Sequence, residues 1–195
     1  MFSIIKIFKK KKIIPHIRLS GVIGAVGKFK QGLDFVGQKE TIEKAFSIKK
    51  ALAVAISINS PGGSPVQSHL IYSYIRKQAK KNKKKVLVFM EDVAASGGYL
   101  IACAGDEIYA NSSSIVGSIG VIYSSFGLQE LIKKAGIQRR IYTAGKNKST
   151  LDPFVEEKKE DIERLKKIQL ELHSDFIKVV EDSRSNKLKK DGNPD

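Results

Sequence analysis

The chain has 195 residues, of which 42% are hydrophobic, and carries a formal net charge of +15 at pH 7. This length suits one domain with a buried core, and the apolar fraction excludes an intrinsically disordered chain. The single cysteine, Cys103, excludes an intrachain disulfide and favours a reducing compartment.

The positive charge is concentrated in three stretches, which are Lys9–Lys12, Lys80–Lys85 and Arg184–Lys190. No zinc-finger, KH or RRM signature accompanies them. We therefore interpret these lysines as solvated surface and predict no nucleic-acid partner.

The first eight residues are mostly apolar and precede four lysines, which reverses the order found in a secretory signal. No window approaches the ~20 apolar residues that a membrane-spanning helix needs. We therefore predict a cytoplasmic protein with a short basic segment over residues 1–12. This segment could weakly contact the anionic surface of the inner membrane, and the alternative is a frayed tail.

The spacing of apolar residues predicts strands and helices that alternate along the chain. In chain order the pattern predicts a strand and glycine turn over 13–26, a helix over 35–49, a strand over 51–58, a helix over 66–79, a strand over 86–90 and a helix over 94–104. It then predicts strands over 107–110, 121–124 and 138–143, a helix over 128–135 and a long amphipathic helix over 155–180. Such alternation is typical of parallel crossover units, so we expect one α/β domain.

Two glycine-rich stretches follow buried strands, which is where the reacting groups of α/β proteins gather. The first is Asn59–Gly63, whose adjacent glycines Gly62 and Gly63 allow backbone N–H groups to face an anion. The second, Val93–Tyr99, has Ser96 where a strand meets a helix. Taken alone, the glycines are explained by a turn and the serine by a helix N-cap.

A serine hydroxyl needs a base before it can act as a nucleophile. No histidine of this chain lies in a glycine-rich or loop context that suggests a site. A lysine can serve instead when desolvation lowers its pKa. Lys146 and Lys148 lie among the small and neutral residues of Thr143–Ser149, although by position alone either lysine is explained by solvated surface.

Four motifs occur in order along the chain: N-S-P-G-G at 59–63, A-A-S-G-G-Y at 94–99, V-G-S-I-G-V at 116–121 and T-A-G-K-N-K-S at 143–149. Together they resemble the S49 peptidases, the signal peptide peptidase A type and its SohB-like relatives, over residues 14–188. The resemblance implies a ClpP/crotonase-like α/β fold with repeated crossover units and a long C-terminal helix. We expect the peptidase domain at 13–188, a tail at 189–195, and the C-terminal part of the family domain to be missing.

The resemblance also implies the roles of individual residues. Ser96 matches the nucleophile, and Lys148 rather than Lys146 matches its general base. Ser118 matches a serine whose hydroxyl could orient the lysine amine. The backbone N–H groups implied for the oxyanion hole are those of Gly62 or Gly63 and of Gly97.

The implied function is the hydrolysis of peptide bonds in signal-peptide remnants and other hydrophobic peptides, through an acyl-enzyme on Ser96. The resemblance further implies a homo-oligomer, and it implies neither a cofactor nor a metal. Two alternatives stay open from the residues themselves. One is a crotonase-type acyl-CoA enzyme, which needs no serine–lysine pair, and the other is a catalytically silent scaffold that binds peptides or a membrane surface.

Overall fold

The computed structural model describes residues 13–24, 32–145, 148–185 and 187–188. The chain divides into two units, the first formed by Met1–Ile119 and Ile177–Asp195 and the second by Gly120–Phe176. The basic segment 1–12, Lys146 and the tail 189–195, on which the sequence made predictions, lie outside the described residues. The expected domain boundaries stay a prediction.

The first unit is built on a parallel sheet. In chain order it comprises β1 (His16–Ser20), α1 (Phe35–Ser47), β2 (Ala53–Ser60), α2 (Pro65–Asn82), β3 (Lys85–Ala95), α3 (Gly97–Ala102), β4 (Glu107–Ala110) and β5 (Ile115–Gly117). The strand order is β1-β2-β3-β4, and β5 pairs with the end of β3 that β4 leaves open. Every described strand pair is parallel, which confirms the predicted α/β class.

Buried aliphatic side chains join the sheet to its helices. In β1 and β2 every second residue is buried, as expected for strands with one face against a core. Ile56 and Ile58 of β2 and Ile71 and Ile75 of α2 are fully buried in the same cluster. Burial of each such side chain contributes ~1.5–3 kcal/mol to the stability of the fold. This packing fixes the strand ends, and with them the starts of the loops that follow.

Local interactions set the bounds of the helices. Helix α1 begins at Phe35 because an Asp34 carboxylate oxygen accepts the N–H of Gly37 at 2.7 Å. Helix α2 begins with Pro65, whose fixed φ suits the first helical turn. It ends where Lys83 adopts the left-handed conformation, with φ 51°.

Strand β3 continues past Met90, its predicted end, to Ala95. Its register against β2 shifts in this region. There the Asn59 side chain donates to an Asp92 carboxylate oxygen at 2.8 Å and accepts the N–H of Val93 at 3.3 Å. Because these bonds satisfy polar groups within the strand, the end of the apolar run does not mark the end of the strand, and α3 begins later than predicted.

The second unit contains α4 (Gln129–Lys134) and the N-terminal part of α5 (Lys159–Arg184), which continues into the first unit. The helices predicted over 128–135 and 155–180 are confirmed with shifted bounds. The strands predicted over 121–124 and 138–143 are wrong, since neither segment joins a ladder. Their apolar residues favour extended backbone, but a strand also needs a partner, and no described strand pairs with them.

The two longest helices of the described residues are α2 with 18 residues and α5 with 26, and both carry several charged side chains. Within the described ranges, no helix combines the length and the apolar character that crossing a bilayer requires.

The buried thiol of Cys103, directly after α3, gives a test of this packing. Burial raises the pKa of the thiol to about 12, and the Ser183 hydroxyl near the end of α5 donates to the Cys103 carbonyl at 2.7 Å. We expect the native thiol to react very slowly with Ellman's reagent at pH 8, because the thiolate is the reactive form. It should react fully in denaturing urea. Rapid labelling of the native wild type would contradict the packing around α3.

Candidate active site

Ser96 lies at the junction of β3 and α3 in a conformation that residues with a side chain rarely adopt. Its φ is 50° and its ψ is −123°, a type of strain that costs ~1–3 kcal/mol. Hydrogen bonds hold this turn on both sides. The Ser96 N–H donates to the Gly117 carbonyl in β5 at 2.7 Å, and the Ser96 carbonyl accepts the N–H of Leu100 at 3.0 Å. A strained serine on a strand-to-helix turn is an arrangement that exposes a nucleophilic hydroxyl.

The Ser96 hydroxyl is not used as a helix cap. The residue occupies the N-cap position of α3, but its side chain makes no capping hydrogen bond to the first turn. The side chain is half-buried, so it is partly accessible from solvent. A role as helix N-cap, which the sequence alone allowed for Ser96, therefore does not account for its hydroxyl.

The loop between β2 and α2 packs directly against Ser96. A Cβ built on Gly62 would lie 2.8 Å from the Cβ of Ser96 and 2.9 Å from the nitrogen of Gly97. A Cβ built on Gly63 would collide with the carbonyl of Ile23. Both glycines also have positive φ, at 101° and 146°. The structure thus brings the two predicted glycine-rich stretches together, and only glycine fits at their contact.

Two backbone N–H groups at this contact donate to no acceptor among the described residues, those of Gly63 and Gly97. Gly97 is the first residue of α3, where N–H groups have no partner within the helix. The N–H of Gly62, by contrast, donates to the buried hydroxyl of Ser60 at 3.2 Å. Gly63 and Gly97 are therefore the better placed pair to bind an anion.

Ser118 lies next to this cluster in the sheet. It follows β5, whose last residue, Gly117, is in register with Ala95 of β3. Ser118 is exposed and has a positive φ of 55°. Five of the six predicted site residues therefore lie at neighbouring strand ends of the first unit: Gly62, Gly63, Ser96, Gly97 and Ser118.

Lys148, the sixth predicted site residue, belongs to the second unit. It lies in a turn in which its own N–H donates to the Gly145 carbonyl at 3.3 Å, and its side chain is exposed. The apolar pocket expected around a lysine base is therefore not provided by the second unit alone. The pairing of Lys148 with Ser96 stays a prediction.

Two serines that the sequence analysis did not assign support the glycine contact. Ser60 is fully buried and accepts the N–H of Gly62. Ser68 is also fully buried, donates to the Ser64 carbonyl at 2.9 Å, and leaves no room for a Cβ on Gly97. Ser60 could have been suspected from its place directly before Pro-Gly-Gly. Ser68 lies in an ordinary helical pattern that carries no such signal.

The histidines of the first unit have other contacts. His16 shares a hydrogen bond of 2.8 Å with the hydroxyl of Ser57, at the start of β1, and His69 packs against Tyr72 on α2. The described part of the chain also contains no group of three or more His, Cys, Asp or Glu residues that could hold a metal ion.

Comparisons with known proteins confirm the resemblance to the S49 peptidases. The model of peptidase family S49 matches residues 78–192 of this chain. A putative protease from Methanocaldococcus jannaschii is 37% identical over 150 residues, which are 77% of this chain and 47% of that protein. The Na(+)/H(+) antiporter NhaA from Brucella melitensis biotype 1 is 60% identical over 183 residues, which are 93% of this chain and 25% of that protein. The chain thus spans about half of the first relative and a quarter of the second.

Among solved structures, a ClpP1 mutant from Listeria monocytogenes is similar to this chain with a TM-score of 0.49 and 14% sequence identity. The similarity covers 87% of this chain and 72% of that chain.

A pair of glycine substitutions tests the contact between the loop and Ser96. Gly62→Ala should destabilise the fold by clearly more than Gly21→Ala, because both glycines have similar positive φ but only Gly62 has neighbours within 4 Å of a Cβ. The backbone strain shared by the two variants costs ~1–3 kcal/mol. Urea unfolding followed by circular dichroism measures both losses. Equal losses would mean that Gly62 is not packed against Ser96.

Proposed function

Because the chain belongs to peptidase family S49, we propose that it hydrolyses peptide bonds, with Ser96 as nucleophile and Lys148 as general base. The observation that carries the proposal is the strained turn at Ser96, with the unpartnered N–H groups of Gly63 and Gly97 beside it. A serine peptidase needs a reactive hydroxyl and N–H donors for the oxyanion at one place.

The mechanism begins with proton transfer from the Ser96 hydroxyl to the neutral amine of Lys148. The Ser96 oxygen attacks the peptide carbonyl carbon, and the N–H groups of Gly63 and Gly97 stabilise the negative charge on the carbonyl oxygen. The intermediate collapses as the lysine ammonium returns its proton to the leaving amine. Lys148 then removes a proton from water, which attacks the ester carbonyl on Ser96. The bond between that carbon and the Ser96 oxygen breaks, the lysine ammonium returns its proton to the Ser96 oxygen, and the acid product leaves.

The geometry of the first unit explains how this site would stabilise the negatively charged transition state of peptide hydrolysis. The glycines are fixed before any peptide arrives, because the sheet, β5 and the buried Ser60 hold their backbone. Donors that need no rearrangement are the effective ones, and removing one typically slows acyl transfer ~10²–10³-fold. Ser118 would act by orienting the lysine amine, as the S49 resemblance implies.

The proposed substrate class comes from the family resemblance. The substrates would be signal-peptide remnants and other hydrophobic peptides.

The name of the Brucella relative describes a whole protein of which this chain matches a quarter. The family model matches the chain itself over more than half its length, so we base the proposal on the family and do not propose ion exchange.

A homo-oligomer is supported by the apolar surface of the second unit. Ile122, Phe126 and Tyr142 are 88%, 81% and 91% exposed, and they lie in segments that form neither a helix nor a strand. Exposed apolar side chains next to unpaired backbone are typical of a protein–protein interface. We propose that a second copy of this chain covers them.

Labelling with a fluorophosphonate probe tests the dyad. The wild type should be labelled, Ser96→Ala should not be labelled, and Lys148→Ala should be labelled at least ~100-fold more slowly, because a general base contributes ~10²–10⁴-fold. Lys146→Ala is the matched control, since it removes the other lysine of the same motif, and it should react like the wild type. Labelled protein resolved by gel electrophoresis over time gives the rates.

Three outcomes would contradict parts of this proposal. A folded wild type that does not react would exclude the peptidase and leave the acyl-CoA enzyme or the silent scaffold. Equal rates for Lys148→Ala and the wild type would mean that another group is the base. Loss of reaction in Lys146→Ala alone would move the role of base to that lysine.

The proposed self-association is tested by one polar substitution in each unit. Ile122→Asp should shift the protein to a smaller species in size-exclusion chromatography with light scattering, because a carboxylate in an apolar interface is strongly unfavourable. Val36→Asp is the control, since Val36 is 82% exposed on α1 of the first unit. A monomeric wild type, or an equal shift in both variants, would contradict an interface at the second unit.

A further inference from the structure

A groove of about 770 Å³ lies in the second unit, between the end of α4 and the segment 152–154. Its volume is within the ~300–1,000 Å³ that is usual for ligand sites. Besides Gly136, the residues that line it are of two kinds. The apolar ones are Ile132, Ile137 and Phe154, and the polar ones are Gln138, Arg139 and Arg140. The groove therefore combines an apolar part with a positively charged part.

The end of α4 forms the apolar part. Gly136 adopts a left-handed φ of 67°, and its N–H donates to the Lys133 carbonyl at 3.1 Å. The N–H of Ile137 donates to the Ile132 carbonyl at 2.9 Å. These two bonds make a Schellman motif, which typically brings the side chains at such positions into contact. Ile137 stays 60% exposed, so this apolar surface is accessible to a ligand.

Arg139 is held in place by its neighbours. Its Nε and Nη2 donate to one Asp152 carboxylate oxygen at 3.3 Å and 3.0 Å, and its guanidinium lies over the Phe154 ring, 5.2 Å from the centroid. The Asp152 side chain is only 7% exposed and also accepts the N–H of Phe154 at 3.0 Å. The Pro153 carbonyl accepts the Leu128 N–H at 2.6 Å, which fixes this segment to the start of α4. Nη1 of Arg139 has no acceptor among the described residues.

Arg140 gives the groove a positive charge that the described part of the chain does not balance. Its Nη2 donates to Oε1 of Gln138 at 3.0 Å, and it forms no ion pair with any described residue. The charge of Arg139 is balanced by Asp152. One carboxylate would therefore neutralise the groove. The planar guanidinium suits this ligand because two of its N–H groups match the two carboxylate oxygens.

We propose that this groove binds the C-terminal carboxylate of a peptide that ends in a hydrophobic residue. The carboxylate would accept hydrogen bonds from Arg140 and from Nη1 of Arg139, and the last side chain would lie against the apolar surface at the end of α4. The side-chain nitrogen of Gln138, whose oxygen is used by Arg140, would donate to the last peptide carbonyl. A fatty acid offers the carboxylate and the apolar chain but lacks this carbonyl.

The choice of a peptide as the carrier of the carboxylate rests on the proposed peptidase function, whereas binding itself requires neither Ser96 nor Lys148. A segment within a longer protein has no carboxylate at this point. The groove would therefore favour peptides that are already cut free over the same sequence within an intact chain. An earlier endoproteolytic cleavage would have to supply such peptides.

Fluorescence anisotropy tests the charged part of the groove. The protein is the full chain with Ser96→Ala, which prevents turnover, and the probe is a short hydrophobic peptide with an N-terminal dye and a C-terminal leucine. Its free acid should bind at least ~10-fold more tightly than its C-terminal amide, as expected for hydrogen bonds to a charged group. Adding Arg140→Gln should remove this difference, and Arg140→Lys, which keeps the charge without the fork, should retain part of it.

Lys166→Gln is the matched control, because it removes the same charge from an exposed position on α5 in the second unit. It should keep the preference for the free acid. Equal affinity for acid and amide would overturn the proposal, and so would equal losses in Arg140→Gln and Lys166→Gln. Displacement of the peptide by decanoate at the concentration at which the unlabelled peptide acid displaces it would assign the groove to fatty acids instead.

The same measurements separate this site from the peptidase. Acid-selective binding in a protein whose wild type does not react with the fluorophosphonate would contradict the proposed hydrolysis and support the groove. A reactive wild type without acid-selective binding would contradict the groove and leave the hydrolysis unaffected.

Peptides that end in leucine or in alanine test the apolar part. Leucine should bind more tightly, by ~4-fold for each carbon that becomes buried. Ile137→Ser should reduce this preference. Leu131→Ser is the control, because Leu131 is similarly exposed, at 62%, but does not line the groove. Equal preferences in the two variants would mean that the last side chain of the peptide does not contact the end of α4.

Discussion

The hydrogen bond from the Ser96 N–H to the Gly117 carbonyl is the interaction on which the candidate site depends. This bond of 2.7 Å joins the residue after β3 to the last residue of β5, and it holds Ser96 in a strained conformation. Without that bond, the turn could relax toward the ordinary start of a helix. With it, the first N–H of α3 and the loop after β2 converge on one serine.

The close packing around Ser96 also explains why glycine is needed where the loop after β2 meets the start of α3. Gly62 touches Ser96, Gly97 lies over Ser68, and Gly98 lies over Ser60. At each place a Cβ would meet atoms that the sheet has already fixed, so the close approach of two loops is possible only without side chains. Of the buried serines beneath them, Ser60 accepts the N–H of Gly62, and Ser68 donates to the Ser64 carbonyl at the start of α2.

Most of the first unit could be predicted from the sequence, since β-branched runs and amphipathic spacing report the strands and helices directly. The end of β3 could not be predicted, because hydrogen bonds from the Asn59 side chain allow the polar residues of β3 to remain within the strand. Strand β5 has three residues, too few for a periodic pattern. The prediction of two strands in the second unit was wrong, because an apolar pattern indicates that a segment could be extended but does not show that a second strand pairs with it. Two of the four motifs contain Ser96 and its glycines, but the choice of Gly63 over Gly62 depends on the acceptor that the fold gives to the Gly62 N–H.

The strain at Ser96 sets stability against chemistry at one position. Glycine would adopt a φ of 50° without the ~1–3 kcal/mol that a residue with a side chain loses there, but it would lack the hydroxyl. A serine at this turn therefore gives up free energy of folding in order to present a reactive group. A variant selected only for stability would lose the serine first.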